Sequence, residues 1–132
     1  MNGKFLTDGE REVDTLDWGK MGWISRPAET GAEEIVMIDV TLEPGFGHDF
    51  HKHPEQEEVI LVREGRIEQW LERDSSPLSP GDAVFVPKDT VHASFNTGSE
   101  TARLTVVLAP SVGDAGYDLV DMAGEAPWDS LR

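Results

Sequence analysis

Three of the four histidines crowd into one short stretch, GFGHDFHKHPEQEEV, as His48, His51 and His53. Imidazole is the commonest neutral metal ligand, so such crowding points to metal chemistry. On an extended strand side chains alternate, which puts His51 and His53 on one face about 7 Å apart along the chain. Glu58 follows after Pro54, Glu55, Gln56 and Glu57, and a carboxylate at the start of the next strand can complete the cluster. The fourth histidine, His92, lies in GDAVFVPKDTVHASFN, just past a turn over 87–90. Alone, such a histidine is more often a hydrogen-bonded barrel residue than a ligand. The pair at 51 and 53 changes that balance, because closely spaced imidazoles need a reason to share a face. Three imidazoles and a carboxylate make a mixed nitrogen and oxygen set that suits iron, manganese, nickel, cobalt or zinc. Around an octahedral ion they leave two positions for water, substrate or dioxygen, as a catalytic site requires. The chain has no cysteine, so neither thiolate ligands nor disulfides are available.

The elements that must position these residues read as strands. EIVMIDVTLEPG, from Glu34, is a β-branched run closed by Pro44 and Gly45. EVILVRE, RIEQWLE, DAVFVP, VHASFN and ARLTVVLAP follow at short, regular spacing. Glu64 and Gly65 mark one turn, Ser79 to Asp82 a second, and Asn96, Thr97 and Gly98 a third. No segment over 34–110 has a helical period, so the expectation is an all-β sandwich or barrel. Residues 1–33 are polar and glycine-containing, with Trp18, Met21, Trp23 and Ile24 as anchors, and read as an irregular arm with at most one short strand. Residues 111–132 lack clean periodicity and read as an extension packing on the barrel or on a partner subunit.

The chain has 132 residues, the size of one domain. Eleven basic residues stand against 26 acidic ones, a net charge of −15, so nucleic acid and anionic membrane are poor partners. The start, MNGKFLTDGEREVD, has no apolar core, and no long apolar run follows. Neither a signal peptide nor a membrane span is expected, and a cytoplasmic protein is the default.

Gly45, His51, His53, Glu58 and Gly65 together resemble the first cupin motif: a glycine, five residues, HxH, a short gap, glutamate, six residues and glycine. Gly81, Pro87, His92 and Asn96 are similar to the second. The six-residue distance to Gly65 selects Glu58 over its neighbour Glu57. One departure is Asp89, where the pattern usually has glycine; aspartate tolerates the left-handed backbone better than most residues. The resemblance implies a single double-stranded β-helix, or jelly-roll, barrel over 34–110, with one divalent metal ion held by His51, His53, Glu58 and His92. It also implies a homodimer, and structural roles for Asn96 and the glycines.

Phe46, Phe50, Phe85, Phe95 and Trp70 can line a pocket above the ion, although core packing explains them equally well. Arg63, Arg66 and Arg103 are candidate anchors for an acidic substrate, and Glu55 and Glu57 candidate bases, against the commoner outcome of solvated surface charges. His48 falls outside the motif and reads first as a surface residue, with a hydrogen-bond partner of the ligands or a substrate contact as the alternatives. Two functions compete. One is a metal-dependent enzyme acting on a small organic molecule, as a dioxygenase, a decarboxylase or an isomerase of a keto acid or sugar. The other is a non-catalytic binding or sensing module with a structural metal. An open coordination position facing an enclosed cavity favours the first, and a metal sealed by protein the second.

Overall fold

Alternating apolar and polar residues become alternating inward and outward side chains in the computed structural model, which describes residues 3–132. Its strands are β1 (Glu12–Leu16), β2 (Gly19–Ser25), β3 (Val36–Leu42), β4 (Gly47–Lys52), β5 (Glu57–Glu64) and β6 (Ile67–Leu71). They continue as β7 (Asp74–Leu78), β8 (Ala83–Val86), β9 (His92–Phe95), β10 (Ala102–Ala109) and β11 (Val120–Asp121). Between β2 and β3 lies one helical turn, α1 (Pro27–Thr30). Pairing is antiparallel throughout and makes two sheets, ordered β1-β2-β3-β10-β5-β8 and β11-β4-β9-β6-β7. From β3 to β10 the chain crosses between the sheets at every connection except β6 to β7, which is the winding of a jelly roll. Among the described residues no helix is long and apolar enough to cross a membrane.

The core lies between the sheets. β3 turns Val36, Ile38, Val40 and Leu42 inward, β5 contributes Ile60 and Val62, and β10 contributes Leu104, Val106 and Leu108, all buried. Each such side chain is worth roughly 1.5–3 kcal/mol relative to exposure. A second cluster forms around Phe50, Val91 and Ala93, and the C-terminal residues Met122, Trp128 and Leu131 pack on it.

The three sequence-marked turns lie where expected. Gly65 separates β5 from β6 at φ 74, and a Cβ there would sit 2.8 Å from Ala102 Cα. Asp89 takes φ 59, the left-handed backbone its motif position requires, and its N–H donates to the His53 carbonyl at 3.0 Å. Asn96 is buried, and its Nδ2 donates to the carbonyls of Leu42 (2.9 Å) and Glu100 (2.8 Å) while its Oδ1 accepts from Gly98 N–H (3.0 Å).

The N-terminal region differs from the irregular arm read in the sequence. It contributes a hairpin, β1 and β2, that extends the larger sheet. β1 is exposed along its whole length, so as an edge strand it has no apolar face to betray it. β7 carries no strand signal in the sequence for the same reason: it is a polar edge strand, with two serines and a proline between Asp74 and Leu78.

Candidate metal centre

β4 carries His51, and β9 carries His92 directly opposite it in the pairing register. His53 follows the end of β4, and Glu58 projects inward from β5 on the other sheet. The four side chains are buried and converge. One ligand atom from each of His51, His53 and His92 lies within 4.8 Å of the others. Glu58 Oε1 stands 2.7 Å from His92 Nε2 and 3.5 Å from His53 Nε2. Glu57 points outward and is exposed, as strand alternation requires of the neighbour of an inward residue.

The hydrogen bonds fix how these imidazoles present themselves. Nδ1 of His51 lies 2.6 Å from the Asp49 carbonyl, Nδ1 of His53 2.6 Å from that of Asp118, and Nδ1 of His92 2.9 Å from that of Thr90. A carbonyl only accepts, so each Nδ1 carries the proton and donates it. In the neutral ring each Nε2 is then a bare lone pair. His53 Nε2, His92 Nε2 and Glu58 Oε1 are buried with no hydrogen-bond donor among the described residues. Buried polar atoms are ordinarily satisfied, and three acceptors aimed at a common point without a donor fit a cation. The donor set, nitrogen and carboxylate oxygen without sulfur, fits a divalent metal ion.

Electrostatics favour the neutral ligand form at His51 and His53 and tie His92 to Glu58. Burial, reinforced by the neighbouring histidines, holds the pKa of His51 well below the usual histidine range. Burial also lowers that of His53, with Glu58 opposing. For His92, burial again disfavours the charge, but the hydrogen bond and charge of Glu58 outweigh it and the pKa rises. Burial pushes Glu58 up, yet His92 and then His53 hold it lower overall.

His48 is half-buried rather than a free surface residue. A register shift between His48 and His51 breaks the regular alternation of β4, so two residues three apart share a face. Its ring stacks on His51 at 3.7 Å and on Trp18 at 4.8 Å, and burial lowers its pKa to about 4. His48, His51, Glu58, Ser94 and Tyr117 line one wall of a cavity of about 30 Å³, and apolar residues including Ile38, Leu42 and Leu104 line the rest. Sequence reasoning missed Tyr117, whose ring packs 5.0 Å from that of His53, because nothing in the tail signals that it returns to β4. Burial raises the Tyr117 pKa and the charge of Glu58 adds to this, so the phenol keeps its proton.

Other candidates lie elsewhere. Phe50, Trp70 and Phe95 belong to the second core cluster, and Phe46 and Phe85 are exposed. Arg103 pairs with Asp39 at 2.7 Å away from the centre, and Arg63, Arg66 and Glu55 are exposed.

Residues 38–108 match a family model described as "Cupin domain". The "Polyketide synthase CurC" of Streptomyces cyaneus is 30% identical over 123 residues, covering 93% of this chain and 80% of that protein. Among solved structures, KdgF from Halomonas sp. aligns with a TM-score of 0.74 at 21% identity, over 86% of this chain and 98% of that one. Oxalate decarboxylase OxdC of Bacillus subtilis aligns with a TM-score of 0.72 at 22% identity, over 86% of this chain and 30% of that one.

Proposed function

This chain belongs to the cupin family, and from that premise we propose that it is a metal-dependent enzyme acting on a small organic molecule, with one divalent ion held by His51, His53, Glu58 and His92. The observation that carries the reading is the donor-free convergence of His53 Nε2, His92 Nε2 and Glu58 Oε1 inside the barrel. A metal bound there would supply Lewis-acid or redox chemistry. The chain's own residues do the remaining work. Carbonyls of Asp49, Asp118 and Thr90 hold the three imidazoles in the ligating tautomer, and Glu58 offsets the cation's charge.

The cavity beside Glu58 and His51 supports catalysis over a sealed structural ion. Its volume of about 30 Å³ accommodates roughly two water-sized occupants, which would leave a bound ion open to exchange on the side of His51 and Glu58. No Lys or Arg lines it, and its one formal negative charge is Glu58. An anionic keto acid would find no counter-charge there except the ion, whereas the mostly apolar walls suit an uncharged carbonyl or enol group, the rest of the substrate lying outside so small a cavity. The name of the Streptomyces cyaneus relative supports a polyketide-derived substrate. The reaction classes within this reading are dioxygenation, decarboxylation and isomerisation.

The assembly in this reading is a homodimer formed through the outer face of the larger sheet. Phe85, Val59, Val107 and Met37 stand in one paired row across β8, β5, β10 and β3, with Leu61 beside it. Phe85 is 53% exposed and Val59 41%, an apolar patch of the kind that marks interfaces.

Elemental analysis of protein purified without added metal tests the proposal, followed by oxygen-consumption and product screens with uncharged enols and with keto acids. The expected result is stoichiometric transition metal and turnover that a chelator abolishes. Absence of metal binding, or turnover indifferent to the chelator, overturns it.

A further inference from the structure

The three imidazoles are not anchored alike. His51 and His92 each donate Nδ1–H to a carbonyl two residues earlier in their own segments, Asp49 and Thr90. Those contacts come with the local chain. His53 donates instead to the carbonyl of Asp118, a residue 65 positions away in the C-terminal segment. Its orientation therefore depends on where that segment sits.

Gln56 decides where it sits. This residue is 1% exposed, and both ends of its amide are engaged. Nε2 donates to the carbonyls of Pro110 and Gly116, both at 2.9 Å, and Oε1 accepts from Asp118 N–H at 3.2 Å. The backbone of Asp118 is thus gripped on its N–H side by Gln56 and on its carbonyl side by His53. Gly116 stands in a seat with no room for a side chain: its φ is +74, and a Cβ would meet Pro27 Cδ at 2.6 Å. The following residue, Tyr117, lays its ring against His53 and closes one side of the cavity. Beyond it, β11 pairs with β4 opposite Lys52 and His51.

Resting on the reading of this cluster as a metal centre, we propose that Gln56 is a positioning residue of that centre. It acts through Asp118 to set the tautomer and ring direction of His53, so that docking of residues 110–122 and occupancy by the metal are coupled. Coupling of this kind is reciprocal: the factor by which docking improves metal affinity is the factor by which metal favours docking.

Gln56→Met keeps the length and volume of the side chain and removes every hydrogen bond. Gly116→Ala unseats the same segment while leaving the Gln56 side chain and every ligand unsubstituted. Each variant and the wild type are titrated with Co²⁺ alone against a competing chelator, while the visible Co²⁺ spectrum is recorded. Chymotryptic cleavage after Tyr117 is then timed with and without Co²⁺. The expected outcome is a loss of Co²⁺ affinity of roughly 10–100-fold in both variants, the range for removing such supporting partners. A changed Co²⁺ spectrum, faster cleavage of the metal-free variants and protection of the wild type by Co²⁺ should accompany it. A purely structural Gln56 predicts faster cleavage with wild-type affinity and spectrum, and that result overturns the proposal, as does unchanged cleavage. Failure of the wild type to bind Co²⁺ stoichiometrically defeats the metal reading itself, and the wild-type arm alone reveals it.

Discussion

Replacing Glu58 by glutamine should stabilise the metal-free protein at high pH, destabilise it near pH 6, and blunt its response to metal. The reason lies in the 2.7 Å contact between Glu58 Oε1 and His92 Nε2. His92 donates its Nδ1 proton to Thr90, so when neutral it turns a lone pair toward a carboxylate oxygen. Protonated, it donates to that oxygen instead, which is why its pKa is raised despite burial. A raised histidine contributes stability that is fully present below about pH 6.5 and lost as pH rises through the folded value. Glu58, held lower by His92 and His53 against the effect of burial, contributes stability present above about pH 4.5 and lost as pH falls through its folded value. The metal-free wild type is therefore best served between these limits. By pH 9 it carries two facing buried acceptors at a cost of about 1–3 kcal/mol each. In Glu58→Gln the amide donates to neutral His92, which removes the cost of one of the two acceptors along with the ion pair. The stability curves of variant and wild type should cross. At pH 9 the variant should lead by about 1–3 kcal/mol, or roughly 4–12 °C in Tm, and at pH 6 it should trail by a similar amount. With Mn²⁺ at one hundred times the wild-type Kd, the wild type gains about 2.7 kcal/mol, and a variant weakened a hundredfold gains only about 0.4 kcal/mol. Urea unfolding at pH 6 and 9 with EDTA, and at pH 7 with Mn²⁺, checks both halves. Parallel metal-free curves, or an undiminished gain from Mn²⁺, would refute the account.

His48→Phe should keep the stack between Trp18 and His51 while removing a titrating ring. Burial holds His48 at a pKa of about 4, so its contribution is present above pH 6.5 and lost as pH falls toward 4. The variant should keep about 1–3 kcal/mol more of its neutral-pH stability at pH 4 than the wild type does, the ring's partly exposed edge limiting the gain. Identical acid-unfolding curves by circular dichroism would contradict this. Asn96→Ala removes three hydrogen bonds at the far end of β9 from His92 and should cost about 2–4 kcal/mol with metal affinity unchanged; a cost below about 1 kcal/mol would show that water replaces them. Leu61→Glu with Phe85→Glu should yield a folded monomer by analytical ultracentrifugation, and a monomeric wild type would remove the proposed interface.

The barrel was legible because its inner strands bury one face and expose the other. Val36, Ile38, Val40 and Leu42 alternate with half-buried Met37, Asp39 and Thr41, and that period of two is written directly in the residues. The convergence of the candidate ligands His51, His53, Glu58 and His92 could be anticipated because two motifs with fixed spacing carry them. What stayed hidden depends on relations that no local window contains. The register shift that brings His48 onto His51 is a property of the pairing of β4 with β9, since an unbroken strand would send the two rings to opposite faces. The hairpin of β1 and β2 stayed hidden because an exposed edge strand such as EVDTL has no inward face to pattern.

The buried acceptors also explain why the fold around them is so redundant. The carbonyls that hold the imidazoles are placed by their surroundings: Asp49 lies within β4, Thr90 in the turn that leads into β9, and Asp118 is bonded through its N–H to Gln56. Without that support, His53 could rotate its ring and satisfy Nε2 elsewhere, and the metal-free protein would relieve its own strain by dissolving the site. Preorganisation therefore requires the surrounding core to outweigh a cluster costing about 1–3 kcal/mol for each unpartnered atom. The apolar faces of β3, β5 and β10 supply that core. Weakening the core by a substitution such as Leu104→Ala, at about 2–5 kcal/mol, should therefore lower metal affinity even though Leu104 is not a ligand.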